Sequence, residues 1–126
     1  MRRDSRIHAF TLVFERLFNS QPFDDELWEQ IKDKDKPFAE QIFGEFEAHK
    51  DEIRSQIEKA LVGYSLDRVH SIDLALMYVA VAEMKYCGTP APVVINETIE
   101  IAKAYSSEDA PKFINGVLST IVKERK

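Results

Sequence analysis

Arg2, Arg3 and Arg6 crowd the start of a chain of 126 residues whose formal net charge is -5. Guanidinium matches phosphate well, because it stays charged, forms bidentate hydrogen bonds and stacks on flat bases. Spacings of three and four residues bring Arg2 and Arg6 to one helix face if a helix starts early. A second set of candidate residues stands near the other end, where Lys112, Phe113 and Asn115 fall close together. A lysine beside an aromatic ring in the first turn of a helix offers a cation, free backbone N–H groups and a stacking surface. Base stacking of that kind is worth ~1–3 kcal/mol per base. Both sets fit a polyanion with exposed bases. The arginines fit a charged tail as well, and Phe113 fits a core position equally.

Residue types suited to catalysis are present but not assembled. His8, His49 and His70 lie far apart, and none stands four residues from another His or from Cys87, the spacing that puts two metal ligands on one helix face. No glycine-rich phosphate loop and no nucleophile elbow occur. Acid pairs such as Glu97 and Glu100 fit solvated helix faces. The chain therefore reads as a non-enzyme with no cofactor and no metal site. Cys87 is the single cysteine, so an intramolecular disulfide is excluded. The longest apolar run, Leu74 to Ala82, is nine residues, far short of the ~20 that span a bilayer. Asp4, Arg6, His8 and Thr11 interrupt any signal-peptide core, which points to the cytoplasm and to no membrane partner.

The elements that position these residues follow from helical periodicity nearly throughout. Ile7, Phe10, Phe14 and Leu17 form one stripe, widened by Phe18. Asp24 or Asp25 can cap a short helix carrying Leu27, Trp28 and Ile31. Phe38, Ile42, Phe46, Ile53, Ile57 and Leu61 mark one side of a long helix ended by Gly63. Ser71 caps a helix to about Tyr86 that is apolar on almost every side, which places it in mid-core. "CGTPAP" at 87–92 breaks the chain before a stripe of Ile95, Ile99, Ala102 and Tyr105. Ser107 or Asp109 then caps a last helix holding Phe113, Val117, Leu118 and Ile121. Inside that helix Gly116 is unfavourable, and the plain reading is close approach of another helix backbone. The expectation is all-α, six or seven helices in a single domain spanning 1–126. Charge is uneven: residues 1–20 carry four arginines against two acids, whereas residues 24–58 carry twelve acids against five bases. A local polyanion site on an acid-faced protein fits that distribution.

The segment "VVINETIEIAKAYSSEDAPKFINGVLSTI" at 93–121 closely resembles the carboxy-terminal signature of the NusB family of bacterial transcription antitermination factors. The matching residues are Pro92 to Glu97, Glu100 to Lys103, Glu108-Asp109 and Lys112 to Leu118. Upstream, "RRDSRIHAFTLVF" (2–14), "FAEQIFGEF" (38–46) and "LDRVHSIDLALMYVAVAEM" (66–84) are similar to the family's opening, its second helix and its central helix, so the likeness covers nearly the whole chain. Tyr78 stands where many members carry Arg, and Ser5 and Ile7 depart from the usual context of Arg6. The resemblance implies two small helical bundles packed together. It implies binding of single-stranded boxA-type RNA in nascent ribosomal RNA, together with NusE, a small-subunit ribosomal protein, and through them action on RNA polymerase with other Nus factors. Arg2, Arg3, Arg6, Lys112 and Phe113 would then contact RNA, with Asn115 a lesser contact and Asp109 at the edge tuning affinity. Phe14 and Asp73 take the positions of partner contacts. An alternative from a different class is a protein-only interaction module without meaningful RNA affinity. A NusB-like domain of an rRNA cytosine methyltransferase would require a further cofactor-binding domain. A homodimer that masks the RNA surface also stays open.

Overall fold

A computed structural model describes residues 2–18, 36–63 and 65–124. Five α-helices follow in order: α1 (Arg3–Phe18), α2 (Lys36–Ala60), α3 (Ser71–Tyr86), α4 (Ala91–Tyr105) and α5 (Ala110–Lys123). A 3-10 turn over Leu66–Arg68 leads into α3. No strand occurs among the described residues. The expected helix at Asp24 to Ile31 lies outside them, so the count there is five rather than six or seven.

Helix α3 organises the rest. Its residues Asp73 to Met84 are all buried, and each of the other four helices packs on it. The two expected groups of helices therefore share one central element instead of merely touching. An apolar helix in water is stable only when sheathed in this way, because roughly 25 cal/mol is gained per Å² of apolar surface covered. Phe10 of α1, Ile42, Phe46, Ile53 and Ile57 of α2, and Ile114 and Leu118 of α5 close around it at 0% exposure. Tyr78, where many family members carry Arg, is buried edge-on to Phe46 at 5.5 Å between ring centroids. Burial pushes its phenol up to about 12.

Local sequence explains most boundaries. Gly88 follows the end of α3 with φ 76°, the left-handed conformation that terminates helices and favours glycine. The cap of α3 differs from expectation: His70, not Ser71, precedes the helix, and its Nδ1 accepts a hydrogen bond from the Ile72 N–H at 3.3 Å. Helix α2 bends at His49, whose backbone (φ -124°, ψ 21°) leaves the helical region. Neither Pro nor Gly causes this bend. The His49 ring instead lies flat on Tyr86, 3.7 Å between centroids and 2° from parallel. Its Nε2 stands 3.4 Å from Glu45, and the Tyr86 hydroxyl donates to Glu52 at 3.0 Å. The ring stack on Tyr86 and the contacts to Glu45 and Glu52 thus lie at the kink. No helix among the described residues is long and apolar enough to cross a membrane.

Candidate functional site

The arginine-rich edge is divided between the surface and the interior. Arg6 faces inward on α1, with its side chain 8% exposed, and donates from Nε and Nη2 to the two carboxylate oxygens of Glu83, both at 2.7 Å. Glu83 is fully buried within α3. Glu97 of α4 forms an outer layer: its carboxylate accepts from Arg3 Nε at 3.2 Å and Nη2 at 2.8 Å and lies 3.7 Å from Arg6 Nη1. These bonds hold the guanidinium groups of both Arg3 and Arg6 more firmly charged, and Glu97 below the usual carboxylate range. Arg2 is exposed and lays its guanidinium 4.0 Å above the Phe38 ring centroid, with Arg6 at 5.6 Å from the same ring. The expected shared face of Arg2 and Arg6 is therefore present, but it looks onto Phe38. Arg6, expected as a direct RNA contact, is found instead with its side chain 8% exposed and its Nε and Nη2 turned inward onto Glu83. Arg3 keeps 40% side-chain exposure while held by Glu97.

The second set of residues surrounds the start of α5. Asp109 is its N-cap and is exposed, but its side chain makes no capping hydrogen bond. The Ala110 N–H is bonded to the Ser107 carbonyl at 3.1 Å, and Pro111 has no N–H to give. The helix end thus offers fewer free amides than its position suggests. Asp109, Lys112 and Phe113 line a groove of about 530 Å3 whose opposite wall is the end of α2, Ala60, Leu61 and Val62. Gly116, Val117 and Thr120 continue its α5 side. Asn115 is exposed but does not line the groove. Close helix approach at Gly116 is a further expectation that the structure overturns, since a Cβ placed there meets nothing within 4 Å.

A smaller cavity of about 200 Å3 adjoins the groove at Asp109 and Phe113 and is lined by Arg68, His70, Asp73 and Ser107. Asp73 itself is 5% exposed and accepts a hydrogen bond from the Ser106 hydroxyl at 2.5 Å, tying the start of α3 to the end of α4. Phe14 is half-buried and packs edge-on to Phe10 at 6.3 Å, while Phe10 reaches Tyr105 at 6.2 Å. Of the two expected partner residues, Asp73 is tied to the end of α4, whereas Phe14 packs within the aromatic row of α1. The arginine edge sits by Glu83 and the α5 set by Asp73, about 15 Å apart along α3 at 1.5 Å per residue. Sequence reasoning missed Glu83, Glu97, Leu61, Val62 and the open face of Gly116. One signal was available: a lone carboxylate inside an otherwise apolar helix, as at Glu83, demands a buried cation. Among the described residues no group of three or more His, Cys, Asp or Glu could hold a metal ion.

Known proteins match this arrangement along its length. The NusB family model matches residues 3–123. The transcription antitermination protein NusB of Listeria innocua is 38% identical, over 99% of this chain and 98% of its own. That of Finegoldia magna is 36% identical, over 99% and 96%. Among solved structures, T. maritima NusB superposes with a TM-score of 0.82 at 31% identity, covering 98% of this chain and 92% of that one. A chain in the crystal structure of antitermination factors NusB and NusE in complex with dsRNA gives 0.80 at 30% identity, covering 98% and 96%. A central helix sheathed by four others, the signature at 92–118 and these matches lead to one assignment: the chain belongs to the NusB family.

Proposed function

We propose that this protein is a transcription antitermination factor that binds single-stranded boxA-type RNA in nascent ribosomal RNA together with a NusE-type ribosomal protein, promoting read-through by RNA polymerase. The observation that carries the reading is the convergence of Lys112, Phe113 and Asp109 on one open groove at the start of α5. Lys112 supplies charge for phosphate, and Phe113 a partly exposed ring for a base. Asp109 repels phosphate at the edge and so sets where the backbone can run. Arg2 adds an exposed cation at the other edge, Arg3 is available once Glu97 yields it, and Arg6 acts by positioning the start of α1. Half-buried Phe14 on α1 and Asp73 lining the smaller cavity at the start of α3 are the positions assigned to the partner. Support also comes from the family itself and from the solved assembly of NusB and NusE with dsRNA, to which the fold is similar.

Pairing of Arg3 and Arg6 with carboxylates favours a second reading in one respect: it lowers the number of cations free for RNA, as a protein-only module would allow. Fluorescence anisotropy separates the two. A short boxA-type RNA and a scrambled control are titrated with the protein, alone and with the NusE-type partner. The RNA reading expects tighter, sequence-selective binding when the partner is present. Partner binding without selective RNA binding would leave the protein-only module.

A further inference from the structure

We infer that the groove between the end of α2 and the outer face of α5 is a nucleobase slot, floored by the bare backbone at Gly116 and walled by Leu61 and Val62. This rests on the RNA reading above and assigns it a pocket with named walls.

Gly116 lies in the middle of α5 and is exposed, and a Cβ at that position meets nothing within 4 Å. Packing among the described residues therefore gives no reason for glycine, the poorest helix former after proline. What its absence of a side chain does achieve is an uninterrupted strip of backbone along the groove, one helical turn beyond Lys112 on the same face. Across from it Val62 is 86% exposed, an unusual position for a large apolar side chain. Apolar Leu61 and Val62 across about 530 Å3 from the bare backbone at Gly116, with Val117 beside it, make a trough of ligand size.

The charges at its mouth select the occupant. Lys112 is exposed and stands in no ion pair among the described residues. A ligand that is flat and apolar in one part and anionic in the next satisfies both the trough and the lysine, and a nucleotide within a single strand has that composition. An aliphatic side chain of a protein partner would cover Leu61 and Val62 but leave the Lys112 charge unmatched. Asp109 at the groove's end disfavours a phosphate on its side, so the strand enters with its backbone along Lys112. Thr120 donates its hydroxyl to the Gly116 carbonyl at 2.9 Å, which leaves its oxygen as an acceptor for a base edge.

The test uses the full chain, the NusE-type partner and short boxA-type RNAs in which 2-aminopurine replaces each base in turn. Gly116→Ala is compared with Gly44→Ala, whose glycine is equally open on α2 but does not line this groove. Both substitutions should raise the thermal midpoint through helix propensity. Gly116→Ala alone should weaken RNA binding about tenfold, the scale of one lost base stack. One 2-aminopurine position should be quenched on the wild-type protein and recover its fluorescence on Gly116→Ala. RNA binding and quenching that Gly116→Ala leaves unchanged would overturn the slot and leave the RNA reading standing. Lost affinity for the NusE-type protein with RNA binding intact would assign the groove to a protein and overturn the slot. Absence of selective RNA binding by the wild type, with and without the partner, would overturn both readings together.

Discussion

Replacing Arg6 by Ala should cost this protein a large part of its stability. Glu83 has 0% exposure and both its oxygens are bonded to Arg6 at 2.7 Å. Truncating the arginine leaves a carboxylate in the core, and Arg3, the other cation of this cluster, is engaged by Glu97. Breaking one side of such a pair costs about 3–5 kcal/mol, out of a total that for native proteins is roughly 5–15. For a chain of this size the thermal midpoint should fall by roughly 10–20 °C. Removing the charge altogether is a different perturbation. Arg6→Met with Glu83→Leu replaces the pair by apolar groups of comparable bulk, and should recover most of the loss. Urea unfolding of the wild type, both single variants and the double variant gives the coupling directly. A loss below about 1 kcal/mol for Arg6→Ala, at unchanged denaturant slope, would refute the reasoning. So would a double variant no more stable than either single one. RNA binding by the double variant, measured well below its midpoint, then tells positioning from contact: a positioning residue can be replaced in this way with binding kept.

Four further outcomes follow from the same geometry. With Arg2 and Lys112 each meeting one phosphate, the logarithm of RNA affinity should fall against the logarithm of salt with a slope of about -1.4. Glu97→Gln frees Arg3 and should steepen it to about -2; an unchanged slope would mean that Arg3 never reaches RNA. Hydrogen bonds from Arg3 hold Glu97 below the usual carboxylate range, so its contribution is full above the ordinary value near ~4.3 and is lost as pH falls through the lowered folded value. Acid unfolding of Glu97→Gln should accordingly show a shallower decline than wild type. Tyr78 is raised to about 12 by burial, so its stabilising effect is full below the ordinary tyrosine value near ~10 and fades as pH climbs toward the folded one. Absorbance titration should show one phenol ionising last, or only on alkaline unfolding, and Tyr78→Phe should remove that step. Burial pushes the Cys87 thiol up to about 11, so alkylation by iodoacetamide at neutral pH should be much slower than for a free thiol and should accelerate on unfolding.

The core was easier to read from sequence than the site, and the reason lies in range. Leu74 to Ala82 announced a sheathed helix because hydrophobic periodicity is a local property, and Gly63 and the Gly88–Pro90 stretch marked helix ends by backbone constraint. The partner of Arg6 stands 77 positions away, where no local spacing rule reaches. Arg6 was therefore read as a surface cation, although Phe10 and Val13, following it at four and seven positions, placed it on the buried face. The bend at His49 escaped for a similar reason, since what stands at it is a ring stack on Tyr86 rather than the Pro or Gly that a sequence would display. Glycine at 116 suggests internal packing from sequence alone, and only the position of Leu61 and Val62 across open space shows that no described residue fills its face. Lys112, Phe113 and Asp109 converge because one helical turn suffices to gather them.

The sheathing of α3 carries a consequence for how the molecule opens. Residues 73–84 of α3 are buried throughout and all four other helices pack on that helix, so peeling away one of them leaves the remaining three in place against it. Exchange of the amides of residues 77–83 with solvent deuterium should require the whole structure to come apart, whereas the ends of α1 and α5 should exchange through fraying. Cutting the chain within α3 would accordingly leave neither piece a hydrophobic surface it could bury by itself. An element that every other helix must find before any is stable also makes unfolding all-or-none, and keeps partially open forms, with their exposed apolar faces, rare in the population.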